Sequence, residues 1–157
     1  MSSKKSVLIT GCSDGGIGSG LALAFHARGF HVFATARNPS KMSALAKLSN
    51  MTLLTLDVEE PAHIAVAVAA VQSGADNKLD VLINNSGRNH FSPVLDIDLQ
   101  EARRIFDVNF WGALSVIQAF SPLVVKARGT IVSVTSAAGH VNVPYMGLYF
   151  HPYIISL

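Results

Sequence analysis

The sequence predicts an α/β domain built on a doubly wound, parallel β-sheet. Three observations carry that expectation. Short apolar, β-branched runs alternate along the chain with segments whose apolar residues recur at helical spacing. A glycine-rich turn, Thr10 to Gly20, stands between the first such run and the first helical segment. Half of the 157 residues are hydrophobic and only 14% are charged, which suits a sheet covered on both faces. The length fits one domain with a sizeable core, so residues 1–157 are expected to form a single unit.

Val7 to Thr10 is the first strand, and Ile17 to Arg28 the first helix, with Gly29 where a helix stop belongs. His31 to Ala36 is the second strand. Pro39, whose fixed φ suits a first helical turn, opens a short helix to about Leu48. Thr52 to Leu56 is the third strand. Pro61 sits near the start of a helix on which Ile64, Val68 and Val71 share a face. The turn Gly74 to Asn77 precedes strand four, Val81 to Asn84. Leu99 to Lys126 gives the longest helix, and Gly129 to Val134 is strand five. Right-handed crossovers then give the strand order 3-2-1-4-5. A ligand is expected at the carboxyl ends of the strands, where the order reverses between strands one and four.

Composition excludes several classes of function. A net charge of +2 is too mild for a nucleic-acid partner, and Lys4 and Lys5 read as a solvated tail. The single cysteine, Cys12, forbids an internal disulfide and fits a reducing, cytoplasmic setting. Its place before a helix allows either an activated thiol or a small turn-filling side chain, and the second reading is favoured. No charged leader precedes a long apolar run. The longest apolar stretches are broken by His, Arg, Pro or Lys, so no transmembrane segment is expected. The six histidines show no i,i+4 pair and no acidic neighbour at ligand spacing, so no metal site is expected.

The chemistry concentrates in four places. Strand, glycine turn and helix form a phosphate-binding device: glycines allow close backbone approach, and the helix N-terminus presents N–H groups and a positive dipole end. Arg37 follows the second strand where dinucleotide folds that bind NAD carry a carboxylate. Its planar cation suits a ribose 2′-phosphate, which favours NADP(H). Asp57, after strand three, is placed to accept from an adenine amine, from loop amides, or as a turn cap. Asn84-Asn85-Ser86-Gly87 closes strand four and is expected to tie strands together, line a cofactor cleft, or both.

Together these segments resemble a classical short-chain dehydrogenase/reductase of Rossmann-type fold, over essentially residues 6 to 149. The family's cofactor turn resembles Thr10-Gly11 through Gly16-Ile17-Gly18, and its Asn-Asn-Ala-Gly element resembles Asn84 to Gly87. Its helix asparagine matches Asn109, its serine Ser136, and its tyrosine Tyr149, thirteen positions beyond Ser136. Lys78 to Leu82, Asn84 to Gly87 and Leu95-Asp96 look closest to fungal reductases similar to 1-acyl-dihydroxyacetone-phosphate reductase.

The resemblance implies NADP(H) held by Gly11, Ser13, Gly16, Ile17, Gly18, Arg37, Asp57, Val58, Asn85, Ser86 and Gly87. It implies hydride transfer to or from a small carbonyl or alcohol substrate. Tyr149 would be the general acid, Ser136 would hydrogen-bond the carbonyl oxygen, and Asn109 would hold a relay water.

Departures from the family pattern are equally specific. The lysine expected four residues after the tyrosine is Tyr153, which removes a cation that favours the phenolate. His151 at i+2 points off the tyrosine's helical face, and Pro152 resists a helix interior. The glycine turn has four residues between Gly11 and Gly16 where the family usually has three, and Asp14 adds a carboxylate there. The chain ends at Leu157 where relatives continue, and its last eight residues resemble nothing in the family. On that reading it is truncated, and strand five is an open edge. The helix face of Phe110, Trp111, Leu114, Val116 and Ile117 would need a partner or a second copy. Three functions are therefore expected in order: an NADP(H)-dependent oxidoreductase, a non-catalytic NADP-binding product, and a redox-neutral isomerase or cyclase using the serine and tyrosine.

Overall fold

A computed structural model describes residues 4–93, 95–137 and 145. Five strands form one parallel sheet: β1 (Ser6–Ile9), β2 (His31–Ala36), β3 (Met51–Thr55), β4 (Val81–Asn84) and β5 (Thr130–Ser133). Their spatial order is β3-β2-β1-β4-β5, as the alternation predicts. Leu8 lies beside Phe33 on one flank and Leu82 on the other, which fixes the register of the three inner strands. α1 (Ile17–Ala27) follows β1, and α2 (Pro61–Gly74) follows β3. A continuous helical run follows β4: α3 (Leu99–Phe106), a π-helical segment (Asp107–Gly112) and α4 (Ala113–Ala127).

Strand side chains alternate between faces, and each face carries its own core. Leu8, Phe33 and Leu82 pack with Ile64, Ala67 and Val71 of α2 and with Val116, Phe120 and Leu123 of α4. Val7, Ile9, Val32, Ala34 and Ile83 pack on the other face with Ala22 of α1 and with Met42 and Leu45. The face expected from Ile64, Val68 and Val71 is the one α2 turns inward.

Two expectations about helices need correction. The helix from Pro39 to about Leu48 is a short 3₁₀ turn, Pro39–Lys41, followed by further tight turns. Met42 N donates to Pro39 O, Leu45 N to Met42 O and Leu48 N to Leu45 O, each a three-residue step. Met42, Leu45 and Leu48 recur every three residues, a spacing that serves such turns as well as it serves an α-helix.

The second correction concerns the helix face expected to lack a packing partner. Val116 is fully buried and Ile117 packs against the core; of the five side chains only Trp111 is largely exposed, at 56%. Val116 lies in α4, just after the π-segment, and packs in the core with Leu8, Phe33 and Leu82. Residues 99–127 also form one helix long and apolar enough to cross a membrane by length and composition, which the sequence reading did not expect. Pro122 lies inside that helix without ending it. In this fold the run's inner side is committed to the sheet through Val116, Phe120, Leu123 and Val124.

Candidate nucleotide-binding site

The site lies at the carboxyl ends of β1 and β4, where strand order reverses. A cleft of about 580 Å³ opens there, and Gly11, Ser13, Arg37, Asp57, Val58, Asn85, Ser86 and Gly87 line it. All eight were expected from the sequence, and they arrive from four separate loops. Lys41, Arg88 and Asn89 also line it, and no sequence signal singled these out.

The turn after β1 is built for close approach. Gly11 adopts φ +73°, a left-handed conformation costly for any side chain. Gly18 lies under it: a β-carbon there would stand 2.4 Å from Gly11 O and 2.6 Å from Asn85 Nδ2. α1 starts at Gly16, with no side-chain cap and no acidic residue in its first turn. The first N–H groups of that helix and its positive dipole end therefore remain for an anion. Gly16, Ile17 and Gly18 form this helix start rather than the cleft wall, and Ile17 is 67% exposed.

Residues 84–87 do both jobs the sequence left open. Thr10 Oγ1 accepts from Asn85 N and from Ser86 N, each at 2.9 Å. Asn85 Nδ2 donates to Thr10 O at 2.8 Å and Gly11 O at 3.0 Å. The loop after β4 is thus stitched to the loop after β1 while its next residues line the cleft. Asn84 is turned inward and buried against α4.

Asn109 sits within the π-segment. Its Oδ1 accepts from Arg88 N at 2.8 Å, and its Nδ2 donates to Arg88 O at 2.9 Å. Each polar atom of this side chain thus holds the loop that floors the cleft. The Arg88 guanidinium in turn donates to Glu101 at 2.8 Å, and Arg104 meets the same carboxylate. Gly112 makes the helix's approach possible, because a β-carbon there would stand 2.6 Å from Val58 Cγ2. Irregular helical turns of this kind gather at functional sites, since they re-aim side chains without ending the helix.

Charge in the cleft is mixed. Arg37 and Lys41 line it together with Asp57 and Glu59. Asp57 Oδ1 accepts from Glu59 N at 3.2 Å, the loop-amide role expected for it. Desolvation at the rim, with Asp57 and Asp107 nearby, pushes the Glu59 carboxyl up, and Arg37 and Arg88 oppose that shift. Asp14 does not face the helix N-terminus. Its carboxylate accepts from Ser43 N at 2.8 Å, Ser43 Oγ at 2.7 Å and Ala44 N at 3.2 Å. Hydrogen bonding from the Ser43 hydroxyl is the main influence holding that carboxyl below the usual range.

Cys12 is the turn-filling side chain of the two readings. It is fully buried, and burial pushes its thiol up to about 11. We expect it to resist alkylation at pH 8 in the folded protein and to react on unfolding. The thiol stays protonated in the fold at pH values where it ionises in the unfolded chain. Stability is therefore expected to fall as pH rises from about 9 to 11, by roughly 2–3 kcal/mol from this group. Urea midpoints measured across that range check it, with Cys12→Ala removing this component.

Ser136 is half-buried beyond the end of β5. Tyr149, and with it His151, Pro152 and Tyr153, lies outside the described residues. No group of three or more His, Cys, Asp or Glu at metal-binding distance occurs among the described residues.

Known proteins match both the sequence and the fold. A profile of the short chain dehydrogenase family matches residues 5–150. The short-chain dehydrogenase ptmH of Penicillium ochrochloron is 53% identical over 146 residues, covering 93% of this chain and 54% of that protein. The NADPH-dependent 1-acyldihydroxyacetone phosphate reductase of Schizosaccharomyces pombe is 40% identical over 149 residues, covering 95% and 50%. Among solved structures, a short-chain dehydrogenase from Streptomyces avermitilis superposes with TM-score 0.88 at 28% identity, covering 98% of this chain and 57% of that one. A short chain dehydrogenase from Burkholderia cenocepacia in complex with NADP gives TM-score 0.85 at 28% identity, covering 97% and 62%. The chain spans about half the length of the curated relatives it matches.

Proposed function

The chain belongs to the short-chain dehydrogenase/reductase family, and from that premise we propose that it is an NADP(H)-dependent oxidoreductase acting on a small carbonyl or alcohol substrate. One observation carries the cofactor half of this reading. Gly11, Ser13 and Arg37 line one cleft, and the turn that holds Gly11 is packed on the uncapped start of α1 so closely that Gly18 has no room for a β-carbon. These residues fit a dinucleotide with an extra phosphate. Gly11, Ser13 and the start of α1 would take the diphosphate, and Arg37 the 2′-phosphate. Asp57 and Val58 would meet the adenine end, and Asn85, Ser86 and Gly87 the nicotinamide end. The NADPH dependence named for the Schizosaccharomyces pombe relative and the NADP bound in the Burkholderia cenocepacia structure support that choice.

When bound, the nicotinamide supplies or accepts a hydride. The chain's own residues orient the substrate and move its proton. Ser136 would donate to the carbonyl oxygen, and Tyr149 would deliver the proton to that oxygen as the alcohol forms. Asn109 has both side-chain polar atoms on Arg88, so a relay water has this residue's main chain to bind. The setting is proposed to be cytoplasmic, with the outer side of α3 and the π-segment, where Leu99 and Trp111 are exposed, covered by a second copy or a partner.

A second reading, NADP(H) binding without turnover, is favoured by Tyr153 standing where the family carries a lysine. Without that cation the Tyr149 phenol loses a contribution that lowers its pKa. NADPH titration of the purified chain separates the readings when followed by NADPH oxidation across a panel of aldehydes and ketones. Saturable binding with carbonyl-dependent oxidation supports the oxidoreductase; saturable binding alone supports the second reading. Arg37→Ala is expected to weaken NADPH about tenfold or more while leaving NADH nearly unchanged. Equal loss for both nucleotides, or no binding by the parent chain, overturns the cofactor assignment.

A further inference from the structure

His63 makes a contact that only one charge state of its ring allows. β3 ends at Thr55, and Leu56 N still donates to Ala36 O of β2. Asp57 N, the next amide along, donates instead to His63 Nδ1 at 3.3 Å. An imidazole nitrogen accepts only while it carries no proton, so this contact requires the neutral ring with its hydrogen on Nε2. In the protonated ring both nitrogens are donors, and Nδ1 would meet another donor.

The contact closes the turn that bears Asp57 and Val58, both of which line the cleft. Glu60 N donates to Asp57 O at 3.1 Å, and His63 N and Ile64 N donate to Glu60 O. His63 stands in the first turn of α2, and its neighbour Ile64 is buried in the core. The ring thus ties a cleft loop to a helix that the core holds in place. Charges of both signs surround this turn. Asp57 and Glu59 lie on it and Glu60 starts the helix; Asp107, Arg37 and Arg88 act on Glu59 from the π-segment and from the loops after β2 and β4. A protonated ring would be drawn from the amide toward these carboxylates.

We propose that His63 is a positioning residue for the adenine end of the cofactor: its neutral ring holds the turn of Asp57 and Val58 in place, and a proton on the ring releases it. The proposal rests on the NADP(H) reading above and adds to it a residue that touches no ligand.

Calorimetric titration with NADP⁺ between pH 5.5 and pH 8 tests it, with melting temperature at each pH as the control for folding. His63→Ala is expected to weaken NADP⁺ about threefold to tenfold at pH 8, and His63→Asn, whose Oδ1 can accept from Asp57 N, to recover most of that loss. From pH 8 to 5.5 the parent chain is expected to lose about fivefold more affinity than His63→Asn, which has no ring to protonate. Comparing the two chains at each pH cancels titration of the nucleotide's own phosphate. Glu59, whose carboxyl is pushed up, is the other group to separate, and Glu59→Gln should keep the pH dependence. Loss of that dependence in Glu59→Gln, with its survival in His63→Asn, would assign it to Glu59 and overturn the proposal. A His63→Ala chain that binds like the parent at pH 8 would overturn it while sparing the NADP(H) reading. A folded parent chain that binds no NADP⁺ at pH 8 would sink both.

Discussion

Gly18→Ala is expected to lose NADPH binding by a hundredfold or more and to melt several degrees below the parent chain. Alanine ordinarily strengthens a helix relative to glycine, by about 0.5–1 kcal/mol, so propensity alone predicts the opposite sign. The reversal comes from where the β-carbon would stand. At 2.4 Å from Gly11 O and 2.6 Å from Asn85 Nδ2 it enters the space between two groups that hydrogen-bond each other at 3.0 Å. Gly11 O belongs to the backbone, so relief requires moving the turn or the helix start. Either movement withdraws the N–H groups from the cleft. Gly20→Ala is the matched control: it lies in the same helix with nothing within 4 Å of its β-carbon. That variant should bind NADPH like the parent and melt at the same temperature or slightly above. If both alanine variants behave like the parent chain, the helix start is not packed against the turn as described.

The sheet order and much of the site were legible because each rests on local signals. β2 and β4 have the bounds the sequence gives them, since each is a short apolar run ending where a polar loop residue begins. Eight of the eleven expected cofactor residues line one cavity because the carboxyl ends of parallel strands open on one side, so residues that follow strands meet there without being neighbours in sequence. What stayed hidden depends on contacts between segments. Nothing in the apolar spacing from Ile105 to Phe120 marks a π-segment, whose contacts, Gly112 on Val58 and Asn109 on Arg88, join residues far apart in sequence. The Asp14 link to Ser43 spans 29 positions. Read alone, a carboxylate in that turn looks like an obstacle to a diphosphate. Read with its partners, it is a strap on a neighbouring loop. The family resemblance, drawn from five short motifs, is matched by a family profile over residues 5–150, and two of those motifs, the turn after β1 and Asn84 to Gly87, meet through Thr10 and Asn85.

Thr10→Val is expected to be the most destabilising isosteric change in the site. Thr10 is 1% exposed and its hydroxyl oxygen is the acceptor for two consecutive backbone N–H groups, Asn85 N and Ser86 N. Valine keeps the shape and the β-branching suited to the end of a strand but removes that acceptor. Two partly buried donors are then left without a partner, at about 1–3 kcal/mol each. For a domain of this size the summed loss corresponds to a fall of roughly 5–15 °C in melting temperature. Thr10→Ser, which keeps the oxygen and loses a methyl group, should fall far less. The same oxygen also ties the loop after β4 to the loop after β1, so Thr10→Val should weaken NADPH and NADH together, unlike a change at Arg37. That common loss is the signature of a joint shared by both ends of the cleft. A Thr10→Val chain that melts within about 2 °C of the parent would show that backbone packing, rather than this hydroxyl, holds the two loops in register.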